Sequence, residues 1–191
     1  MISARIENPS EGDLLSVLLA MRDEETGEPM SLADVADEVL GMIIGGHETA
    51  SVALTWTLFE LQRHPEIEKR VIAEIDRVVA HDPIDFDGLS ELPLTKQVLE
   101  ESMRLHPPVW FENRNVKEDT EVGGAILPKG SIVALSRYSL HRNGNFWKSP
   151  DAFIPERFDP DDKENYVSTK STAIYIPFSR GPRACIGRHF A

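Results

Sequence analysis

The sequence is poor in cysteine, in basic residues and in long apolar runs, and each shortage excludes a class of protein. One cysteine among 191 residues rules out a disulfide-stapled secreted scaffold, because no internal disulfide can form. The 20 Lys and Arg are outnumbered by 32 Asp and Glu, and this net charge of −12 argues against nucleic-acid binding, which depends on clustered basic side chains. The longest apolar stretch, residues 39–46, is far shorter than the roughly 20 residues that cross a bilayer.

The charge is distributed unevenly, and the basic end of the chain contains the only cysteine. Residues 1–38 carry ten acidic and two basic side chains, whereas residues 171–191 carry three arginines and no acid or lysine. Cys185 lies within this basic end. A positive field favours the thiolate form of a cysteine, which binds metals and attacks electrophiles. The alternative is that Cys185 is a small buried hydrophobic residue.

Apolar periodicity and proline positions predict a mainly helical chain. Ser31, followed by Asp34, is a good N-cap for a proline-free helix over residues 31–64, which would be about 50 Å long. A hairpin is predicted over residues 122–135, with strands 125–127 and 132–135 flanking the turn Pro128-Lys129-Gly130. The other predicted elements are an amphipathic stretch at 13–21, helices at 65–80 and 94–106, coil at 143–166, and a segment at 174–191 that begins apolar, becomes glycine-rich and ends as the start of a helix.

Three glycines interrupt the middle of the long predicted helix. Gly41, Gly45 and Gly46 each disfavour helix by up to about 1 kcal/mol relative to alanine, so we expect the helix to open or bend there. The Thr49 hydroxyl can bond the carbonyl of Gly45, four residues back. The alternative is that small residues allow another helix to approach closely.

Several motifs that would indicate a catalytic or metal site are absent or incomplete. His47-Glu48 begins an H-E-x-x-H zinc motif, but position 51 is serine, so the second histidine is missing. The histidines are scattered and have no ligand-like spacing. Glu101 and Arg104 share one helix face, and an ordinary exposed pair of this kind contributes only about 0.2–0.5 kcal/mol.

Residues 178–187 form a compact loop whose composition suits a flat cofactor. Two glycines surround Cys185, and Arg183 precedes it by two residues. Glycines let a backbone approach closely and leave amide groups free to point at a sulfur. An aromatic ring can shield that sulfur, and an arginine can bind a carboxylate in bidentate fashion. A flat, carboxylate-bearing cofactor whose metal takes one thiolate is haem.

The loop resembles the haem-binding signature of the cytochrome P-450 haem-thiolate monooxygenases, F-x-x-G-x-R-x-C-x-G. Other features of that family occur in the same order along the chain. The signature is matched at Phe178, Gly181, Arg183, Cys185 and Gly187; the other matches are the distal-helix stretch at 45–49, the E-x-x-R pair at 101–104, the hairpin at 128–130 after Gly123-Gly124, and the P-E-R-F element at 153–158.

The resemblance implies a partial cytochrome P-450 fold, mainly α with a small β hairpin or sheet, from the long distal helix to the haem-thiolate loop. Residues 1–191 would form a single partial domain, the C-terminal part of a longer one that is truncated at both ends. The implied cofactor is haem b with Cys185 as axial thiolate. Phe178 would pack under the haem beside the sulfur, Gly181 would be a further cofactor-binding position of the same signature, and amides near Gly187 would hydrogen-bond the thiolate.

The resemblance also assigns roles to residues outside the loop. Arg183, with Arg114 as a second candidate, would pair with a haem propionate. Gly45 and Gly46 would make room for dioxygen, while Glu48 and Thr49 would supply and relay protons. A buried structural ion triad that stabilises the proximal side would consist of Glu101, Arg104 and Arg157.

The implied activity is insertion of one oxygen atom of O2 into an apolar small molecule. Two electrons would come from NAD(P)H through a ferredoxin or flavin reductase. The basic end around Cys185 could face an acidic electron donor of this kind. The alternative is that its arginines form an ordinary solvated surface. The competing hypothesis is a non-catalytic haem-binding or interaction module that retains the thiolate loop. Candidate substrate contacts, for which core packing is the alternative, are Ile43, Ile44, Val109, Trp110 and Phe111.

The sequence also leads to expectations about the isolated chain. Because family members are longer, the helices of a fragment would expose apolar faces, and we expect no substrate turnover by the 191 residues alone. Measurable monooxygenation by the purified chain would overturn this expectation. No nucleic-acid partner is expected. The acidic loop at 22–29 and the lack of an anchor favour a cytoplasmic, bacterial enzyme, although membrane attachment stays open.

Overall fold

Helices and short strands make up the computed structural model, which describes residues 5–6, 12–79, 85, 87–168 and 173–189. The chain divides into two compact units, Met1–Thr49 and Ala50–Ala191, with the boundary inside a long helix. The helices are α1 (Leu14–Ala20), α2 (Leu32–Arg63), α3 (Pro65–Val79), α4 (Pro93–Leu105) and α5 (Arg137–His141), and the strands are β1 (Phe111–Asn115), β2 (Thr120–Val122), β3 (Ala125–Leu127) and β4 (Ile132–Ser136). Short 3-10 turns follow at Asp87–Glu91, Pro155–Phe158, Gly181–Arg183 and Ile186–His189.

The first unit contains α1 and the first part of α2, and side chains cap both helices. The Asp13 carboxylate accepts from the Ser16 N–H at 2.9 Å, and the Ser31 hydroxyl accepts from the Asp34 N–H at 3.1 Å, which confirms the predicted cap. Leu18 and Val35 are buried. The helix boundaries thus follow the polar residues that satisfy the first free N–H groups.

Helix α2 remains regular where the glycines predicted an opening. It is α-helical from Leu32 to Arg63 without interruption, so the expectation that it opens at Gly41, Gly45 and Gly46 is wrong. A Cβ added at any of the three would meet no described atom within 4 Å. The Thr49 hydroxyl donates to the Gly45 carbonyl as predicted. A cost of about 1 kcal/mol per glycine is evidently too small to break a helix of this length.

The second unit is built on α3, α4 and the turn Pro155–Phe158. Its apolar cluster consists of Val71, Val98, Leu105 and Phe153, with half-buried apolar residues of α2, α3 and α4 around it. Helix α4 begins at Pro93, and the Glu74 carboxylate from α3 accepts from the Leu94 and Thr95 N–H groups, both at 2.8 Å. This cap fixes α4 against α3 and so determines where the side chains of α4 lie.

The strands pair differently from the prediction. β1 pairs antiparallel with β4, and β2 pairs with β3, so the two strands expected to form one hairpin belong to separate two-stranded sheets. Gly123 and Gly124 connect β2 to β3 with φ angles of 59° and 82°. A two-residue hairpin turn of type I′ requires positive φ at both positions, which glycine adopts without strain. The Gly-Gly pair was therefore the stronger turn signal.

Among the described helices, none combines the length and the apolar character that a bilayer-spanning segment needs.

Candidate functional site

The loop that contains Cys185 is held by short backbone hydrogen bonds. The Cys185 N–H donates to the Phe178 carbonyl at 2.9 Å, and the Ala184 N–H donates to the Gly181 carbonyl at 3.0 Å. Ser179 (φ 61°) and Gly181 (φ 78°) adopt the left-handed backbone conformation that turns the chain back on itself. Phe178 is half-buried, whereas the Cys185 thiol is exposed. The alternative of a buried, purely structural cysteine is therefore wrong.

The geometry around the sulfur fits a haem. An added Cβ at Gly187 would lie 3.8 Å from the Cys185 Sγ, so glycine keeps one side of the sulfur open. No group of three or more His, Cys, Asp or Glu capable of holding a metal ion occurs among the described residues. A single accessible thiolate suits a metal whose other ligands come from a macrocycle, and does not suit an ion held by protein ligands alone.

Glu101, Arg104 and Arg157 come together in a buried ionic cluster. Arg104 donates to the Glu101 carboxylate from Nε at 2.7 Å and from Nη2 at 2.9 Å, and Arg157 Nε donates to it at 3.2 Å. All three side chains are buried. The interpretation of Glu101 and Arg104 as an ordinary exposed pair is therefore wrong. Burial lowers the pKa of Arg157 from its ordinary value, with the Glu101 charge opposing this effect.

Carbonyl groups balance the excess positive charge of this cluster. Arg104 also donates to the carbonyls of His141, Pro150 and Ala152 at 2.8, 2.7 and 3.0 Å. Its guanidinium lies 5.0 Å from the ring centre of Trp147, close enough for a cation–π interaction. The cluster thereby ties α4 to α5 and to the coil that precedes Pro155–Phe158.

His141 links this cluster to the segment before the Cys185 loop, and sequence reasoning did not single it out. Its Nε2 accepts from the Ile176 N–H at 3.0 Å, and its ring lies 5.2 Å from that of Tyr175. The buried Nδ1 has no hydrogen-bond partner in the described part of the chain. The Tyr175 hydroxyl donates to the Glu100 carbonyl at 3.0 Å. These contacts join α4 and α5 to residues 175–176.

Acid is expected to destabilise the fold through His141. Burial, and secondarily the charge of Arg104, lowers the pKa of His141 from 6.5 to about 4. Between these values the unfolded state binds more protons than the folded state, so stability is complete above about pH 6.5 and falls as the pH decreases towards 4. We expect the free energy of unfolding in urea to fall by about 2 kcal/mol from pH ~7.5 to pH ~5 through this group. His141→Phe should lose much less over the same range, and an equal loss would assign the effect to other groups.

Glu112 contacts the loop and Arg137 contacts the segment before it, and the sequence revealed neither residue: the Glu112 carboxylate accepts from the Ser179 hydroxyl at 3.0 Å. Arg137 is buried and donates to the Ile176 carbonyl and to the Glu112 carboxylate at 3.0 and 2.7 Å. In the β1–β4 register Glu112 lies opposite Leu135, two residues before Arg137. Because the pairing of β4 was predicted incorrectly, the sequence could not place these two side chains together. The correct register was the signal that would have found them.

The two arginines expected to meet haem propionates differ in their surroundings. Arg183 is exposed and has no ion-pair partner among the described residues. Arg114 donates to the Glu112 carboxylate at 3.0 Å and to the Asn113 carbonyl at 3.0 Å. Of these two arginines, Arg114 therefore has a neighbouring anion, and Arg183 has none among the described residues.

The residues expected on the distal side lie on α2 in the first unit, while Cys185 belongs to the second. Gly45, Gly46 and Glu48 are exposed, and Thr49 is half-buried. The five candidate substrate contacts are also exposed, with between 38% and 57% of their surface accessible. The alternative that these five residues form the core is therefore wrong. Their role as substrate contacts stays a prediction.

Known proteins are similar to this chain in sequence and in architecture. The cytochrome P450 family model matches residues 2–191. The chain is 37% identical over 183 residues to Cytochrome P450 4F6 of Rattus norvegicus, and 39% identical over 184 residues to Cyclooctatin synthase of Streptomyces melanosporofaciens. These matches cover 94% and 96% of this chain but 33% and 39% of the relatives, so the chain spans only a part of their length.

Solved structures of cytochromes P450 are also similar to this chain. Retinoic acid-bound cyanobacterial CYP120A1 superposes with a TM-score of 0.89 at 34% identity, over 99% of this chain and 43% of that chain. The heme domain of cytochrome P450DA gives a TM-score of 0.84, also at 34% identity, over 99% of this chain and 41% of that chain. The predicted fold class, a mainly α partial P450 fold with small sheets, is thus confirmed. The chain belongs to the cytochrome P450 family.

Proposed function

We propose that Cys185 is the axial thiolate of a haem b and that the protein is a monooxygenase. The overall reaction would be RH + O2 + 2 electrons + 2 protons → ROH + H2O, where RH is an apolar small molecule. The observation that supports this most directly is the exposed Cys185 thiol. It lies on a loop that is held by the backbone hydrogen bonds from Cys185 to Phe178 and from Ala184 to Gly181. When bound, haem supplies the activation of dioxygen, for which a thiolate ligand favours O–O cleavage.

The loop residues would bind and orient the cofactor. Phe178 would pack beside the sulfur, and the open side at Gly187 would let backbone amides hydrogen-bond the thiolate. Arg183, which has no ion-pair partner among the residues that the structure describes, would bind a propionate, whereas Arg114 would first have to share its contact with Glu112. The buried ion triad would keep α4 and the coil before Pro155–Phe158 in place behind the loop.

Proton supply is proposed for Glu48 and Thr49. The Thr49 hydroxyl donates to the Gly45 carbonyl, which leaves the lone pairs of its oxygen free to accept a further hydrogen bond. Glu48 is exposed, so its carboxylate is accessible to water. A non-catalytic haem-binding module would have no need of such a pair, so its presence favours the enzyme.

The relatives and the charge of the chain support a proposal for the substrate and partner classes. A relative with 37% identity is named an ultra-long-chain fatty acid omega-hydroxylase, and a matching structure binds retinoic acid. Both names describe apolar molecules with a carboxylate, which supports an apolar substrate for this protein. A ferredoxin or a flavin reductase using NAD(P)H is proposed as electron donor, with the arginines near Cys185 as its contact surface.

Hemin titration tests the assignment of Cys185. We expect the parent chain to bind one hemin per chain and Cys185→Ser to bind at least about tenfold more weakly, because the metal ligand is lost. Ile186→Ser is the matched control, since it introduces the same side chain at the exposed neighbouring position. Unchanged affinity in Cys185→Ser would contradict the proposal.

A further inference from the structure

The side chain of Arg137 joins three segments around the Cys185 loop. It is only 4% exposed, and each of its three nitrogen atoms donates a hydrogen bond. Nε donates to the Ile176 carbonyl at 3.0 Å, Nη1 to the Val109 carbonyl at 3.0 Å, and Nη2 to the Glu112 carboxylate at 2.7 Å. A guanidinium donates from three separate nitrogen atoms in one plane, whereas all the donors of a lysine are on a single nitrogen and cannot reproduce this arrangement.

Glu112 extends this connection into the loop itself. Its Oε1 accepts from the Ser179 hydroxyl at 3.0 Å and from Arg114 at 3.0 Å, while Oε2 accepts from Arg137. Burial raises the pKa of Glu112, but the hydrogen bonds from Arg137 and Ser179 and the charges of Arg137 and Arg114 outweigh it, so the pKa lies below its ordinary value. Glu112 is therefore a carboxylate at neutral pH.

Ser179 occupies the position in the loop where an anchor matters most. Its φ of 61° lies in the left-handed region, which is unfavourable for serine and must be held by surrounding contacts. The preceding residue, Phe178, supplies the carbonyl that accepts from the Cys185 N–H. A continuous path of contacts thus runs from Arg137 through Glu112 and Ser179 to the backbone of Cys185.

We propose that Glu112 and Arg137 are positioning residues that hold the Cys185 loop, through Ser179, in the conformation that presents the sulfur before the cofactor binds. The inference rests on the proposed function, because the sulfur is presented to haem iron. Neither residue touches Cys185, so their effect is on the order of the loop and not on the thiol itself. Preorganisation of this kind removes the cost of ordering a ligand loop during binding.

Amide hydrogen exchange on the haem-free chain tests the inference without using the cofactor. In Ser179→Ala and Glu112→Gln we expect the amides of 178–187 to exchange about tenfold faster, as expected when a charge-assisted hydrogen bond is lost. The double variant should have a smaller effect than the sum of the two single variants, because both weaken the contact between Glu112 and Ser179. Arg137→Lys should also accelerate exchange, whereas Glu121→Gln, on the exposed strand β2, should not.

Two exchange results would overturn the inference. The first is exchange in 178–187 at the parent rate in both Ser179→Ala and Glu112→Gln. The second is acceleration that is equal in helix α4, since this would show a general loss of stability and not a positioning role. The mild Ser179→Ala variant keeps the test valid if a substitution at Arg137 prevents folding.

A spectroscopic readout on the haem-loaded chain distinguishes the inference from the proposed function. The fraction of thiolate-type Soret band in the reduced carbon monoxide complex should fall in Ser179→Ala and Glu112→Gln, and should stay at the parent value in Glu121→Gln. If the parent shows no thiolate band, the proposed function fails, and the exchange rates alone decide whether the anchor holds the loop. An undiminished thiolate fraction in both variants would contradict the inference.

Discussion

Glu101→Gln is expected to lower the free energy of unfolding by about 3–5 kcal/mol, a large part of the 5–15 kcal/mol typical of a folded domain. The glutamine would leave two buried guanidinium groups, Arg104 and Arg157, without a neutralising anion. It would also turn an amide N–H2 towards donors, because Glu101 now accepts from both arginines and from the Ile154 N–H at 2.9 Å. Urea unfolding followed by circular dichroism measures the effect.

Glu100→Gln is the matched control for this prediction, since it makes the same change one residue earlier on α4. Burial raises the pKa of Glu100, with the charge of Lys96 opposing, so its surroundings disfavour the charge that the substitution removes. The Glu100 carboxylate forms no ion pair with any described residue, and we expect its loss to change stability by less than about 1 kcal/mol. Similar effects of the two substitutions would contradict the structural role given to the ion triad.

Trp147→Ala is the second substitution with a large expected effect. The side chain is completely buried, and it packs against the Arg104 guanidinium and the rings of Phe158 and Tyr175. Truncation would leave a cavity beside the ion triad and cost about 3–5 kcal/mol, again measured by urea unfolding. The stability losses of Trp147→Ala and Glu101→Gln should not be additive in the double variant, because both substitutions disturb the surroundings of Arg104.

Two comparisons separate packing from other causes at this position. The indole N–H of Trp147 has no hydrogen-bond partner among the described residues, so Trp147→Phe keeps an aromatic ring and removes an unsatisfied donor. It should therefore cost clearly less than Trp147→Ala. Trp110→Ala, at a position that is 57% exposed, should have only a small effect. A large loss at Trp110 with a small loss at Trp147 would refute this account of the core.

The helices could be predicted from the sequence because their signals are local. The cap at Ser31 and the proline at position 65 defined α2 to within one residue at each end. The same local reasoning overestimated the glycines of α2, since a penalty of about 1 kcal/mol each does not decide the backbone of a 32-residue helix.

The strand pairing was mispredicted because two turn signals competed. Pro128-Lys129-Gly130 does turn the chain, with φ of 86° at Gly130, but it connects two separate sheets. The Gly123-Gly124 pair fits the tighter two-residue hairpin turn and is the turn that joins β2 to β3. The error also concealed the contact between Glu112 and Arg137, which depends on the β1–β4 register.

The buried ion triad illustrates what the spacing of residues along the sequence can and cannot show. An i, i+3 pair such as Glu101 and Arg104 has the same spacing whether it is exposed or buried, so only the resemblance to a known family pointed to burial. Burial depends on Ala152 and Arg157, which approach α4 from about fifty residues further along the chain. Local reasoning cannot supply such long-range contacts.

The reduced carbon monoxide complex of the hemin-loaded chain gives the most direct test of the central claim, that Cys185 is the thiolate ligand of a haem. We predict a thiolate-type Soret band in the parent chain and in Ile186→Ser, and its loss in Cys185→Ser, in which the single sulfur ligand is replaced by a hydroxyl. A spectrum without a thiolate band in the parent, or one that is unchanged in Cys185→Ser, would contradict the claim.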